Sequence, residues 1–223
     1  MPARLRPTAP IASDAVLVGD PGRALLLAQE LLREPKMSNH ARGLWGYSGE
    51  TAAGKRLTIQ ATGMGGPSAA LVLGDLAKLG VRRALRVGTC VAVEGSCRLG
   101  ELLLVTEAVA AGGSATSLGV AAGKTVRPST ALTERLRAAL GEDGRGGAVA
   151  SFDAHPAEQS SPDGIVAADM QTAMLLARAG SLEIEIAALL IVTESADGER
   201  LDKDRLERAE KLAGRAAVAA LSG

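Results

Sequence analysis

Short aliphatic runs alternate along this chain with longer stretches of helical spacing. DAVLVG leads into PGRALLLAQELL and RLTIQATG into GPSAALVLGDLAKLG, while RRALRVGT and ELLLVTEAV precede MQTAMLLARAG and IAALLIVTE. β-branched and leucine-rich runs predict strands, and the amphipathic stretches between them predict helices. The alternation predicts an α/β fold with helices packed on the faces of a mixed sheet. AAGGSATSLGVAAGKTVRP has no sustained period and predicts a loop, a mobile cover, and HPAEQSSPDG predicts a second loop. The closing DGERLDKDRLERAEKLAGRAAVAAL predicts an amphipathic helix whose charge run is a solvated face.

Composition narrows the classes. The 223 residues are 47% hydrophobic with no break in character, which predicts one domain over residues 1–223. Lys and Arg total 25, as do Asp and Glu, so no net field draws in a nucleic acid polymer or an anionic membrane, and only a local cationic pocket remains to be sought. MPARLRPTAP has no apolar run behind its arginines and no later stretch is long enough to span a bilayer, so the expected location is cytoplasmic. Cys90 and Cys97 have neither CxxC spacing nor metal-ligand company, which predicts buried reduced thiols and no metal site. One Trp, one Tyr and one Phe make the core aliphatic and leave few flat rings for stacking.

Candidate chemistry gathers at strand ends. In VLVGDPGRA, Gly19 to Arg23 fall where a strand meets a helix, so backbone N–H groups and the helix dipole form an anion site that Arg23 can complete. A plain turn with a surface arginine is the alternative. LRVGTC repeats the design with Arg86, Gly88 and Thr89. QATGMGGPSAA brings glycines and a proline to a helix start, but its spacing is not that of a dinucleotide fingerprint and no acid ends the next strand. DMQTA reads as an ordinary helix entry, with Asp169 capping amides and Met174, Leu175 and Ala177 facing a core, or as part of a ligand site.

GDPGRA, HARGLWGYSG, TGMGGPSAA, LRVGTC and DMQTA, in this order, resemble the nucleoside phosphorylase family of hexameric purine nucleoside phosphorylases and uridine phosphorylases. The resemblance runs from about Asp14 to Glu194. It implies a single-domain three-layer α/β/α sandwich around a central mixed sheet. It also implies phosphorolysis, in which inorganic phosphate attacks the anomeric carbon of a nucleoside to give free base and pentose 1-phosphate, with no cofactor. By this resemblance Gly19, Arg23, Arg86 and Thr89 bind phosphate, and Arg42 reaches it from a neighbouring subunit of a homo-oligomer, a trimer of dimers with shared sites. Met64, Met170 and Gln171 line the ribose. Val91, Phe152, His155 and Glu194 surround the base, with Glu194 and Arg86 catalytic.

The chain departs from the family pattern in informative places. Gln171 stands where the family carries a glutamate that grips the sugar hydroxyls. A carboxylate roughly 5 Å from a developing ribosyl cation is worth on the order of 3 kcal/mol at an effective dielectric of about 20, or about a hundredfold in rate. This predicts weak turnover, and a faster Gln171→Glu variant. Glu194 matches the family's base-contacting acid, with Asp197 as the alternative alignment. Val91 replaces a glycine beside the base, His155 stands at the position of a stacking ring, with Phe152 a possible substitute, and MPARLRPTAP lacks the family's amino-terminal His. The Gln and Arg pattern that reads uracil is missing, which favours a purine. A catalytically weakened nucleoside- and phosphate-binding homologue or partner subunit is the alternative. A hydrolytic nucleosidase is disfavoured, because guanidinium groups converging on a water site are costly without an anion.

Overall fold

The expected alternation resolves, in a computed structural model that describes residues 4–93 and 95–223, into one mixed sheet with helices on both faces. The first half comprises β1 (Asp14–Val18), α1 (Pro21–Leu31), β2 (Arg33–Asn39), β3 (Gly46–Glu50), β4 (Arg56–Ala61) and α2 (Gly65–Lys78). There follow β5 (Arg83–Ala92), β6 (Leu102–Ala110), β7 (Thr125–Val126), α3 (Thr130–Leu140) and β8 (Gly144–Ser151). β9 (Ala167–Asp169), α4 (Thr172–Ser181), β10 (Glu185–Glu194) and α5 (Lys203–Ser222) complete the chain.

Strand parity divides the core. Successive side chains point to opposite faces, so Leu102, Leu104, Leu85 and Leu189 pack with α1, α3 and α5, while Leu103, Val105, Ala84 and Leu190 pack with α2 and α4. Strands buried on both faces explain why β5, β6 and β10 read as nearly continuous aliphatic runs. The three layers agree with the expected sandwich.

Sheet closure was not legible in the sequence. Strands run β10-β6-β8-β9-β5-β1-β4-β3-β2, and β10 also pairs with β5, so five strands form a ring. β5 and β10 are parallel, and β9 and β6 meet them antiparallel. The open end is β2, where Arg33, Glu34, Pro35 and Lys36 discourage further pairing. The segment expected as a plain loop holds a 3-10 turn at Ser114–Leu118 and the short β7. No helix among the described residues is long and apolar enough to cross a membrane.

Candidate active site

The carboxyl ends of β1, β5 and β10 open into a cavity of about 460 Å³. Local sequence places its rim. Asp20 caps α1 by accepting from Arg23 N at 2.9 Å, and Pro21 sits in the first turn, where its missing N–H costs nothing. Gly63 and Gly65, at φ of 73° and 77°, make the left-handed turn that brings β4 into α2. Ser68 Oγ closes this turn by donating to Thr62 O at 2.6 Å.

Arg86 is the electrostatic centre, only 4% exposed. Its Nε donates to Thr172 Oγ1 at 3.0 Å, Nη1 to Gln171 Oε1 at 2.7 Å and Nη2 to Asp169 Oδ2 at 2.8 Å. A guanidinium carries five such donors, so one N–H on each terminal nitrogen is left for a ligand. Burial lowers the Arg86 pKa from the usual arginine value; the Asp169 carboxylate opposes that shift, and Arg23, within electrostatic reach, adds to it. Asp169 also accepts from Ser151 Oγ at 2.5 Å and from Thr172 N and Oγ1, so it caps α4 and holds Arg86 at once. The capping reading of DMQTA therefore holds for Asp169, which also anchors Arg86 on the cavity wall.

Arg23 is paired as well. Its Nε donates to Glu210 Oε1 at 2.6 Å, with both side chains largely buried. The solvated face expected of the last helix is exposed at Lys203, Asp204, Arg205 and Arg208, and Glu210 is the exception to it. Glu210 shares the inward stripe of Ala209, Ala213 and Ala217 and reaches back to α1. That helical periodicity was the available signal for Glu210, which sequence reasoning missed. The two cations thus arrive compensated, and an incoming anion gains from directed N–H groups more than from net charge.

Gln171, 3% exposed, lines the cavity with its amide held by protein on both ends. Oε1 accepts from Arg86 Nη1 and lies 3.2 Å from Thr62 Oγ1, whose one proton is shared with Val18 O at 3.0 Å, while Nε2 donates to Gly63 O at 2.6 Å and Gly65 O at 3.2 Å. Two lone pairs and two protons are what a primary amide has to offer.

Farther along β5, Val91 faces the region where β10 ends. Register between these strands slips between Val192 and Glu194, and this bulge sets Glu194 opposite Val91 and on the cavity wall. Glu194 Oε2 lies 3.2 Å from Arg200 Nε and 4.0 Å from His155 Nε2. Asp197, the alternative acid, is exposed and bonded to Ser195, outside the cavity lining.

The cavity therefore brings together Gly19, Arg23, Arg86, Thr89, Met64, Met170, Gln171, Val91, His155 and Glu194. Two expected residues do not join them. Phe152 is corrected: just past the end of β8, it is buried with Ala150, Ile165 and Ala168 in a small apolar cluster, which takes its ring out of the cavity lining. Arg42 is exposed, at φ of 61° in the turn before β3, and does not line this chain's own cavity. Of the cysteines, Cys90 is buried but Cys97 only partly so, and burial pushes both thiols up, which disfavours a thiolate nucleophile. Among the described residues no cluster suits a metal ion.

The Phosphorylase superfamily matches residues 13–222. A protein of Oceanobacillus iheyensis named "Purine nucleoside phosphorylase DeoD-type" is 40% identical over 95 residues, 42% of this chain and 40% of its own length. Proteins of the same name from Caldanaerobacter subterraneus subsp. tengcongensis and Clostridium novyi are 35% and 39% identical over 99 and 95 residues, 44% and 42% of this chain and 42% and 40% of their own lengths. The matched segment thus spans about two-fifths of these curated relatives.

Proposed function

Because this chain belongs to the Phosphorylase superfamily, we propose that its cavity cleaves the N-glycosidic bond of a nucleoside with inorganic phosphate, preferring a purine nucleoside to uridine. One observation carries the reading: Arg23 and Arg86 share a single cavity with Glu194 and His155. Arg86 and Val91 are separated by five positions on one strand, about 16 Å at the usual strand rise, enough for phosphate, sugar and base in sequence. The relatives named above support the purine preference.

In this reading Gly19, Arg23, Arg86 and Thr89 orient phosphate, Met64, Met170 and Gln171 flank the sugar, and Val91, His155 and Glu194 meet the base. A phosphate oxygen forms the bond to C1′ as the C1′–N bond breaks and its electron pair leaves with the base. Glu194 supplies the proton that makes the base a better leaving group. The phosphate dianion and the fixed guanidinium groups answer the charge that develops on the sugar. Arg42 completes the phosphate site of a second copy in a dimer-based homo-oligomer, a trimer of dimers, and the enzyme works in the cytoplasm without a cofactor.

One observation favours a second reading. Glu210 and Asp169 already compensate both guanidinium groups, so the objection that a water-filled site strands unpaired cations does not hold. A hydrolase, with water in place of phosphate, is that second reading. A nucleoside panel assayed for base release with and without phosphate separates them. Release from purine nucleosides that depends on phosphate is expected; equal release without phosphate makes the enzyme a hydrolase, and tight binding without release makes it a weakened homologue.

The Arg23–Glu210 pair supplies its own test. Gln at 210 keeps an oxygen for Arg23 Nε yet removes the competing charge. At roughly 8 Å and an effective dielectric of about 20, that charge is worth about 2 kcal/mol against an anion, before screening. Glu210→Gln is therefore expected to tighten inorganic phosphate binding by roughly tenfold, read by calorimetry; weaker binding would show that the carboxylate matters only for holding Arg23.

A further inference from the structure

We propose that Gln171 is a positioning residue for the anion site and does not read the sugar hydroxyls. The inference rests on the nucleoside reading above and departs from the sugar-gripping role that the family resemblance implies at this position. Three of the four hydrogen-bonding positions of the amide are taken outright by protein: Arg86 on the oxygen, Gly63 O and Gly65 O on the nitrogen; Thr62 Oγ1, whose one proton is shared with Val18 O, fills the other side of the oxygen at 3.2 Å. A sugar hydroxyl could bond here only by displacing one of these neighbours, and a displaced Arg86 N–H, Gly63 O or Gly65 O would lose this partner. The amide ties the guanidinium of β5 to the glycine turn ahead of α2, two parts of the cavity rim that no other hydrogen bond described here joins.

The consequence of charge at this position then reverses. A glutamate keeps the acceptor facing Arg86 but turns its second carboxylate oxygen onto Gly63 O and Gly65 O, which sit 2.6 Å and 3.2 Å from the present nitrogen. Two attractive contacts become repulsive, so the turn or the side chain must move and Arg86 moves with it. The gain expected from a carboxylate near the ribosyl cation comes only after this displacement.

The test compares wild type, Gln171→Met, which keeps the volume without the hydrogen bonds, and Gln171→Glu. Inorganic phosphate and paired ribo- and 2′-deoxyribonucleosides are the probes, read as KM and kcat for each. For wild type the ribo to deoxy ratio of kcat/KM is expected within about threefold of one. Gln171→Met is expected to raise the phosphate KM by about tenfold, with nucleoside KM and the ribo to deoxy ratio unchanged, a split that general loosening would not produce. Gln171→Glu is expected to be slower than wild type. A ribo preference that collapses in Gln171→Met, or a faster Gln171→Glu, overturns the proposal while leaving the nucleoside reading intact. The wild-type ratio tests the same point should either variant fail to fold. If wild type neither binds phosphate nor releases base, the nucleoside reading fails and this proposal with it.

Discussion

Arg86→Met is expected to lower the stability of the protein by about 3 to 5 kcal/mol and to abolish phosphate binding. The magnitude follows from removing one member of a buried ion pair, which leaves its partner charge uncompensated. Asp169 would keep its bonds from Thr172 and Ser151, so the lower part of that range applies. For a chain of this length 1 kcal/mol moves the melting midpoint by about 2–4 °C, and a fall of about 10 °C is expected by thermal unfolding. The double variant Arg86→Met with Asp169→Asn removes the stranded charge while retaining an oxygen for Thr172 N. It is expected to recover at least about 1 kcal/mol relative to the sum of the single variants, the size of coupling seen between contacting groups. An unchanged midpoint in Arg86→Met, or strict additivity in the double variant, would show that the pair is not the buried anchor described here.

Gly88→Ala is expected to cost far more in function than in stability. A Cβ at Gly88 would lie 2.6 Å from Arg86 Cζ and Nη2 and 2.8 Å from Leu190 Cδ2. The end of an arginine can usually swing away, but Arg86 is held by the three hydrogen bonds it donates to Asp169, Gln171 and Thr172. Accommodating one methyl group therefore requires breaking at least one of them. Overpacking of this kind costs about 1–3 kcal/mol, whereas misplacing a positioning group by about 1 Å costs roughly a hundredfold in rate. A phosphorolysis assay beside a melting curve reads both quantities. Gly180→Ala is the control, since a Cβ there meets nothing within 4 Å. If Gly88→Ala turned over as fast as this control, Arg86 would have to be more mobile than its bonds indicate.

Arg23 and Phe152 differ in how far a short window of sequence places them. Arg23 was legible because the chemistry is local: a strand end, Asp20, Pro21 and a helix start within a few residues specify the turn, and the arginine follows from it. Phe152 was not, because an aromatic residue near a suspected base site suits a core as well as a ligand, and only the packing of β8 against Ile165 and Ala168 decides between them. Glu210 sits between these cases. Its place on the buried stripe of α5 was readable from periodicity, but its partner is 187 residues away.

The sequence by itself determined the layering, the aliphatic core and the strand ends that carry the candidate site, since these follow from periodicity and from turn chemistry within short windows. Tertiary structure alone decided that five strands close into a ring, that a bulge turns Glu194 onto the cavity wall, and that Gln171 commits its amide to Arg86 and the glycine turn. The physical reason is that hydrogen-bonding capacity is finite and is shared among neighbours distant in sequence. A residue's type states what it could bond, and the fold settles what is left for a ligand.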